Sequence, residues 1–176
     1  MDPNLTDIVV VLDSSGSMAS RVDDSIGGFN AFVDRQKQGE GHARLTLVQF
    51  DHEYAVVYER KDIQEVSPLD RGSYVPRGNT ALLDAIGRTI IALRGAIAVD
   101  RPSEHPRNVV FVIITDGMEN ASSEFTRSQI LEMIRVHQEA GWEFLFFGAN
   151  QDAIGEAASM GIEDSSALER IGGAFY

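Results

Sequence analysis

The sequence predicts an α/β fold: a doubly wound, mostly parallel central sheet with one antiparallel edge strand and helices on both faces. Three observations predict it. Short, continuous apolar runs at residues 8–12 and 109–114 stop abruptly at polar loops, as strands covered on both faces do. Between such runs lie longer segments whose apolar residues recur every three to four positions, the period of a helix packed along one stripe. Residues 44–50 and 53–60 are two strand patterns separated only by Asp51-His52, a spacing that fits an antiparallel hairpin and leaves no room for a parallel crossover.

The elements follow in order. Ile8-Val9-Val10-Val11-Leu12 is β-branched and runs into Asp13-Ser14-Ser15-Gly16-Ser17. Val22, Ile26, Phe29 and Val33 then mark a helix to about Lys37, ended by Gly39 and Gly41. The hairpin comes next, at a sheet edge. Residues 61–78, with Pro68, Gly72 and Pro76, read as loop. Thr80 is placed at the start of a helix carrying Leu83, Ile86, Ile90, Leu93 and Ile97. The strand at 109–114 ends at Thr115-Asp116-Gly117. Thr126-x-x-Gln129 has the form of a capping box and opens a helix that ends at Gly141. Residues 142–147 read as a further central strand, and 152–160 as a helix closed by Gly161. The tail, 162–176, fits either a short strand or a short helix, and Gly172-Gly173 weakens the helix.

Composition sets the outer bounds. The chain has 176 residues, 43% hydrophobic and 24% charged, which suits one domain spanning 1–176. It contains no cysteine, so disulfides and thiolate metal sites are excluded and a reducing compartment fits. The acidic N-terminus lacks the pattern of a signal peptide, and no apolar run approaches the ~18 residues of a membrane span. The Asn-x-Ser/Thr sequons at Asn4 and Asn120 are therefore read as chance matches. A formal charge of −12 repels nucleic acid and anionic lipid while it attracts metal cations. The expectation is a cytoplasmic domain of bacterial or phage type.

Doubly wound sheets bind ligands at the carboxyl ends of their strands, where the strand order reverses. Asp13 and Asp116 both follow very apolar strands, which puts them on that rim. Ser15, Ser17 and Thr80 belong to the same rim. Taken singly, each has a plain explanation: the serines and Asp13 as helix caps, Thr80 as an N-cap, Asp116-Gly117 as a turn. Taken together, three separated segments bring only hard oxygen donors to one place, and such donors suit Mg²⁺, Mn²⁺ or Ca²⁺.

Asp13-x-Ser15-x-Ser17, then Gly78-Asn79-Thr80, then Thr115-Asp116-Gly117 resembles the metal-ion-dependent adhesion site of von Willebrand factor A domains. The resemblance runs over essentially the whole chain. It implies that Ser15, Ser17 and Thr80 give hydroxyl oxygens to the metal, and that Asp13 and Asp116 act through water or hydrogen bonds. It also implies a partner protein that supplies an Asp or Glu carboxylate. The family's usual Gly-Gly-Thr reads Gly78-Asn79-Thr80 here. Ser14, Met18, Asn79, Met118 and Glu119 are expected to form an exposed contact rim.

Enzymatic alternatives fail at their first motif. A haloacid-dehalogenase-type phosphatase needs Asp-x-Asp, and the second position here is Ser15. Neither Gly-x-Ser-x-Gly nor Gly-x-Gly-x-x-Gly follows the first strand. His42, His52, His105 and His137 are scattered and read as solvated or packing residues. The expectation is a metal-dependent binding module and not an enzyme. A scaffold subunit whose metal only ties three loops together is the alternative.

Overall fold

A computed structural model of the chain describes residues 2–116, 119–148 and 151–162. Its elements are β1 (Asp2–Asp13), α1 (Val22–Lys37), β2 (His42–Phe50), β3 (Tyr54–Asp62), α2 (Leu82–Val99), β4 (Pro106–Thr115), α3 (Arg127–Glu139), β5 (Trp142–Gly148) and α4 (Gln151–Ser159). Short 3-10 turns precede α1 at Gly16–Arg21 and follow β3 at Ile63–Glu65. The five strands form one sheet in the order β3-β2-β1-β4-β5, and only the β2–β3 pairing is antiparallel. The predicted fold class is the one observed.

Alternation along the strands sorts the core into two layers. Val9, Val11, Phe111, Ile113 and Phe146 face α2, α3 and α4, where they meet Ile86, Ile90, Ile130 and Ile134. Ile8, Val10, Leu12, Leu45 and Val112 face α1, which supplies Phe29 and Val33. Both faces are covered, which is why these strands read as unbroken apolar runs.

Three sequence expectations change. The hairpin loop has three residues, because Phe50 pairs with Tyr54 and the Glu53 N–H bonds to the Asp51 carboxylate at 2.6 Å. β5 lies at the outer edge of the described sheet, not in its centre, since β4 is its only partner among the described residues. Thr80 does not cap α2, which begins at Leu82. Its cap comes from a distant segment: the Glu119 carboxylate accepts from the Leu83 N–H at 3.0 Å. The predicted capping box of Thr126 and Gln129 is present. The tail beyond Ile162 lies outside the described residues, and among those described no helix is long and apolar enough to cross a membrane.

At the amino end of the sheet an ionic cluster ties β1, β2 and β3 to the end of α2. Asp7, 1% exposed, accepts from Arg44 Nε at 2.6 Å and Arg60 Nη2 at 2.9 Å. Arg60 also bonds Asp100. Arg60 holds a left-handed backbone (φ 44°), costly for a residue with a side chain, next to an irregularity in the β2–β3 register. Its N–H reaches Thr46 Oγ1 at 3.0 Å, and two carboxylates fix its guanidinium.

Removing Asp7 would leave two arginines without their shared buried anion. Asp7→Ala is expected to cost about 3–5 kcal/mol in urea unfolding. The hydrogen bond from Arg60 holds the Asp100 carboxyl below its ordinary value of 3.8. A depressed carboxyl stabilises the fold above that ordinary value and loses its contribution as pH falls through the folded one. The acid side of the stability profile should therefore be shallower in Asp100→Asn than in wild type, and parallel profiles would contradict this.

Candidate metal centre

β1 and β4 are adjacent parallel strands, with Leu12 opposite Ile114, so their carboxyl ends stop side by side. From β1 the chain winds outward to β2, and from β4 to β5, so the strand order reverses between them. This is the crevice in which Asp13 and Asp116 meet.

Asp13 is fully buried. Its Oδ1 accepts the Ser15 N–H at 2.7 Å, and its Oδ2 accepts the Thr115 hydroxyl at 2.6 Å. Its backbone carbonyl accepts the hydroxyl of the buried Tyr74 at 2.6 Å. Burial pushes the Asp13 carboxyl above its ordinary value; bonds from Ser15 and Thr115 oppose the shift, and the nearby charge of Asp116 adds to it. Asp13 thus uses a bond at each oxygen to shape the loop.

From Ser15 a chain of oxygens crosses the rim. Ser15 Oγ lies 3.2 Å from Ser17 Oγ, and Ser17 Oγ donates to Asp116 Oδ1 at 2.9 Å. The other oxygen of Asp116 is 3.5 Å from Arg21 Nε, at the end of the 3-10 turn. Thr80 reaches the rim through its backbone. The Gly16 N–H bonds the Gly78 carbonyl at 3.0 Å, and the Arg77 N–H bonds the Ser14 carbonyl at 2.8 Å. On its other side, the Thr80 N–H donates to Asn120 Oδ1 at 2.9 Å, and its carbonyl accepts from the N–H of Asn120 and of Ala121. Gly78 sits at φ 70°, in the left-handed region that glycine adopts without penalty.

Ser15, Ser17 and Asp116 are therefore directly linked. Asp13 joins them through Ser15 and Thr115, and Thr80 is held against the same loop by the Gly16–Gly78 bond. The donor set consists entirely of hard oxygens. The 3.2 Å and 2.9 Å separations bring the Ser15, Ser17 and Asp116 oxygens together on this rim.

The expected contact rim is corrected in three places. Ser14 is buried, with its N–H and hydroxyl both directed to the Phe50 carbonyl. Met18 is buried because the 3-10 turn tucks it into the core layer beneath α1. Glu119 points inward, since its carboxylate binds the backbone of Leu83, Ala121 and Ser122. Asn79 is exposed, as expected, and Met118 lies outside the described residues.

The sequence reading also gave no role to Thr115, Tyr74, Asn120 or Arg21, none of which carries a motif that signals its partner. His52 is less isolated than expected: Asp51, His52 and Glu53 bring potential ligand atoms within 4.8 Å of one another. Their carboxylates are engaged by Arg77, at 3.1 Å for Asp51 and 2.6 Å for Glu53.

These bonds predict opposite outcomes for two small changes. In chelator, Thr115→Val removes a donor from a buried carboxylate and should cost about 1–3 kcal/mol in urea unfolding. Asp13→Asn removes the buried charge itself and should melt no lower than wild type under the same conditions. Equal destabilisation by both would contradict the assignment of Asp13 as a strained, loop-shaping carboxylate.

Comparison with known proteins gives one family and many folds. The model of the von Willebrand factor type A domain matches residues 7–172. The chain has the fold of manganese-loaded TRAP protein from Plasmodium vivax, at 16% identity and TM-score 0.63, covering 90% of this chain and 64% of that one. It has the fold of the pilus adhesin SpaC from Lactobacillus rhamnosus GG, at 15% identity and TM-score 0.64, covering 99% and 29%. Proximal thread matrix protein 1 from the mussel byssus, solved with a zinc-occupied MIDAS motif, is similar at 18% identity and TM-score 0.55, covering 98% and 45%. The chain thus spans less than two thirds of each of these proteins. No curated protein sequence matches it.

Proposed function

Because the chain belongs to the von Willebrand factor type A family, we propose that it is a protein-binding module that captures a partner's carboxylate through a divalent cation. Ser15, Ser17 and Thr80 hold the cation by their hydroxyls, and Asp13 and Asp116 support it through hydrogen bonds or water. The observation that carries this reading is the oxygen chain Ser15–Ser17–Asp116, which joins hard donors from two strand ends on one rim. The metals named for two structural relatives, manganese and zinc, and the adhesin role named for a third support a cation-dependent contact. Mg²⁺ is the proposed ion, with Mn²⁺ or Ca²⁺ as alternatives.

The chemistry follows from the donor set. A cation held by neutral hydroxyls keeps most of its charge, so an external Asp or Glu gains strongly by approaching it. The chain's own residues prepare that approach. The Thr115 hydroxyl and the Ser15 N–H each bond one oxygen of Asp13, which fixes the orientation of that carboxylate behind the rim. Arg21 draws on Asp116 from the far side. The residues present propose no reaction, and binding in the cytoplasm is the proposed setting.

Two measurements test this. Calorimetry should show Mg²⁺ or Mn²⁺ binding that Asp13→Ala weakens by about 10–100-fold, the usual cost of losing a group that orients a ligand. Affinity capture from native lysate, with Mg²⁺ or with EDTA, should retain a partner only for wild type in Mg²⁺ and not for Thr80→Ala. A partner kept equally in all four conditions would overturn metal-dependent capture and favour a scaffold role.

A further inference from the structure

One short element sets both a hydroxyl and a guanidinium against the same rim carboxylate. In the 3-10 turn Gly16–Arg21, Ser17 stands near the start and Arg21 at the end. Ser17 Oγ donates to Asp116 Oδ1 at 2.9 Å, and Arg21 Nε faces Asp116 Oδ2 at 3.5 Å. Met18, buried in the core layer, fixes the turn from below, and α1 begins directly after Arg21.

Arg21 differs from its neighbours at this end of the sheet. Arg71 and Arg77 each donate short hydrogen bonds to carboxylates, at 2.7 Å to Asp23 and 2.6 Å to Glu53. Arg21 makes no hydrogen bond among the described residues, and 3.5 Å from Asp116 is an ionic contact too long for one. A charge held so loosely, and 40% exposed, contributes little to folding.

What it changes is the charge balance of the rim. Both oxygens of Asp13 accept hydrogen bonds, as those of an ionised carboxylate do, and Asp116 accepts from Ser17. The nearby acids are engaged elsewhere: Asp51 pairs with Arg77, and Glu119 accepts from the backbone of Leu83 and Ser122. Two carboxylates alone would cancel the charge of a divalent cation. Arg21 offsets one of them, so the loaded rim stays positive. A positive rim draws an external carboxylate more strongly than a neutral one.

We infer that Arg21 tunes the cation site, loosening its hold on the ion and strengthening its capture of a partner's carboxylate. The inference rests on the cation-dependent binding proposed above and assigns its charge balance to one residue. It demands effects of opposite sign on two affinities, which a purely structural role does not produce.

The test compares wild type with Arg21→Gln, Arg21→Met and Arg21→Lys. Calorimetry with MgCl₂ reads the cation. Paramagnetic broadening of ¹³C-labelled acetate, with the protein in excess over Mn²⁺, reads carboxylate access to the loaded rim. Both neutral variants should bind Mg²⁺ more tightly, and acetate more weakly, by about twofold to fivefold each, the worth of a half-exposed charge. Arg21→Lys, which keeps the charge, should stay near wild type in both, and all three variants should melt close to wild type. If wild type binds Mg²⁺ but the neutral variants shift both affinities in one direction, or neither, the role of Arg21 is overturned while the cation site stands. A wild type that binds Mn²⁺ yet leaves acetate unbroadened overturns it equally. Absence of Mg²⁺ and Mn²⁺ binding in wild type overturns the cation site itself, and Arg21 is then an ordinary surface ion pair.

Discussion

The parallel pairing of β1 with β4 is the contact on which the rest of the molecule depends. It joins the two most apolar strands in register from Thr6–Asn108 to Leu12–Ile114. Both strands are buried on both faces, so their backbones find partners only in each other and in the outer strands β2 and β5. The chain winds away from this pair in opposite directions, so the strand order reverses at their carboxyl ends. Such a reversal leaves a polar crevice at the strand ends. The charge on its walls follows from where the apolar runs stop, at Asp13 on one strand and Thr115-Asp116 on the other.

That crevice is costly to build. Asp13 lies wholly within the protein, and burial raises its carboxyl against the bonds that favour its charge. The fold meets the cost by surrounding the carboxylate with donors from three segments: the Ser15 N–H, the Thr115 hydroxyl and, through the neighbouring carbonyl, Tyr74. The loops around it are held by backbone bonds between Ser14–Gly16 and Arg77–Gly78, and between Thr80 and Asn120–Ala121. The oxygens that face the rim are thus preorganised by groups that do not face it.

Much of this was legible in the sequence. The continuous runs at residues 8–12 and 109–114 identified doubly covered strands, and the two-residue gap at Asp51-His52 identified the antiparallel edge. The strand ends then placed Asp13 and Asp116 on one rim, which the β1–β4 register supports. What escaped was set by contacts between distant segments. Thr80 looked like an N-cap because local spacing cannot show that Glu119, 36 positions beyond Leu83, supplies the cap instead. Ser14 and Met18 looked exposed because a loop pattern does not reveal that a 3-10 turn folds Met18 into the core. Thr115 stood inside the motif that named Asp116, yet its bond to Asp13 spans 102 residues and follows only from strand adjacency.

The two ends of the sheet resolve the same problem in different ways. At the amino end, Asp7 is as deeply buried as Asp13, but Arg44 and Arg60 meet it directly and the pair of arginines is in turn held by Asp100. The positive charge is built into the chain, and the strained backbone of Arg60 is the local cost of placing it. At the carboxyl end, Arg21, 40% exposed, stands 3.5 Å from Asp116, and among the described residues no arginine or lysine bonds Asp13. Hydroxyls stand where the amino end has guanidinium groups. A buried carboxylate compensated only by neutral donors keeps an electrostatic demand that an external cation can meet. The contrast between Asp7 and Asp13 within a single strand therefore separates a carboxylate paired with built-in arginines from one held by hydroxyl and backbone donors, as the proposed cation site requires.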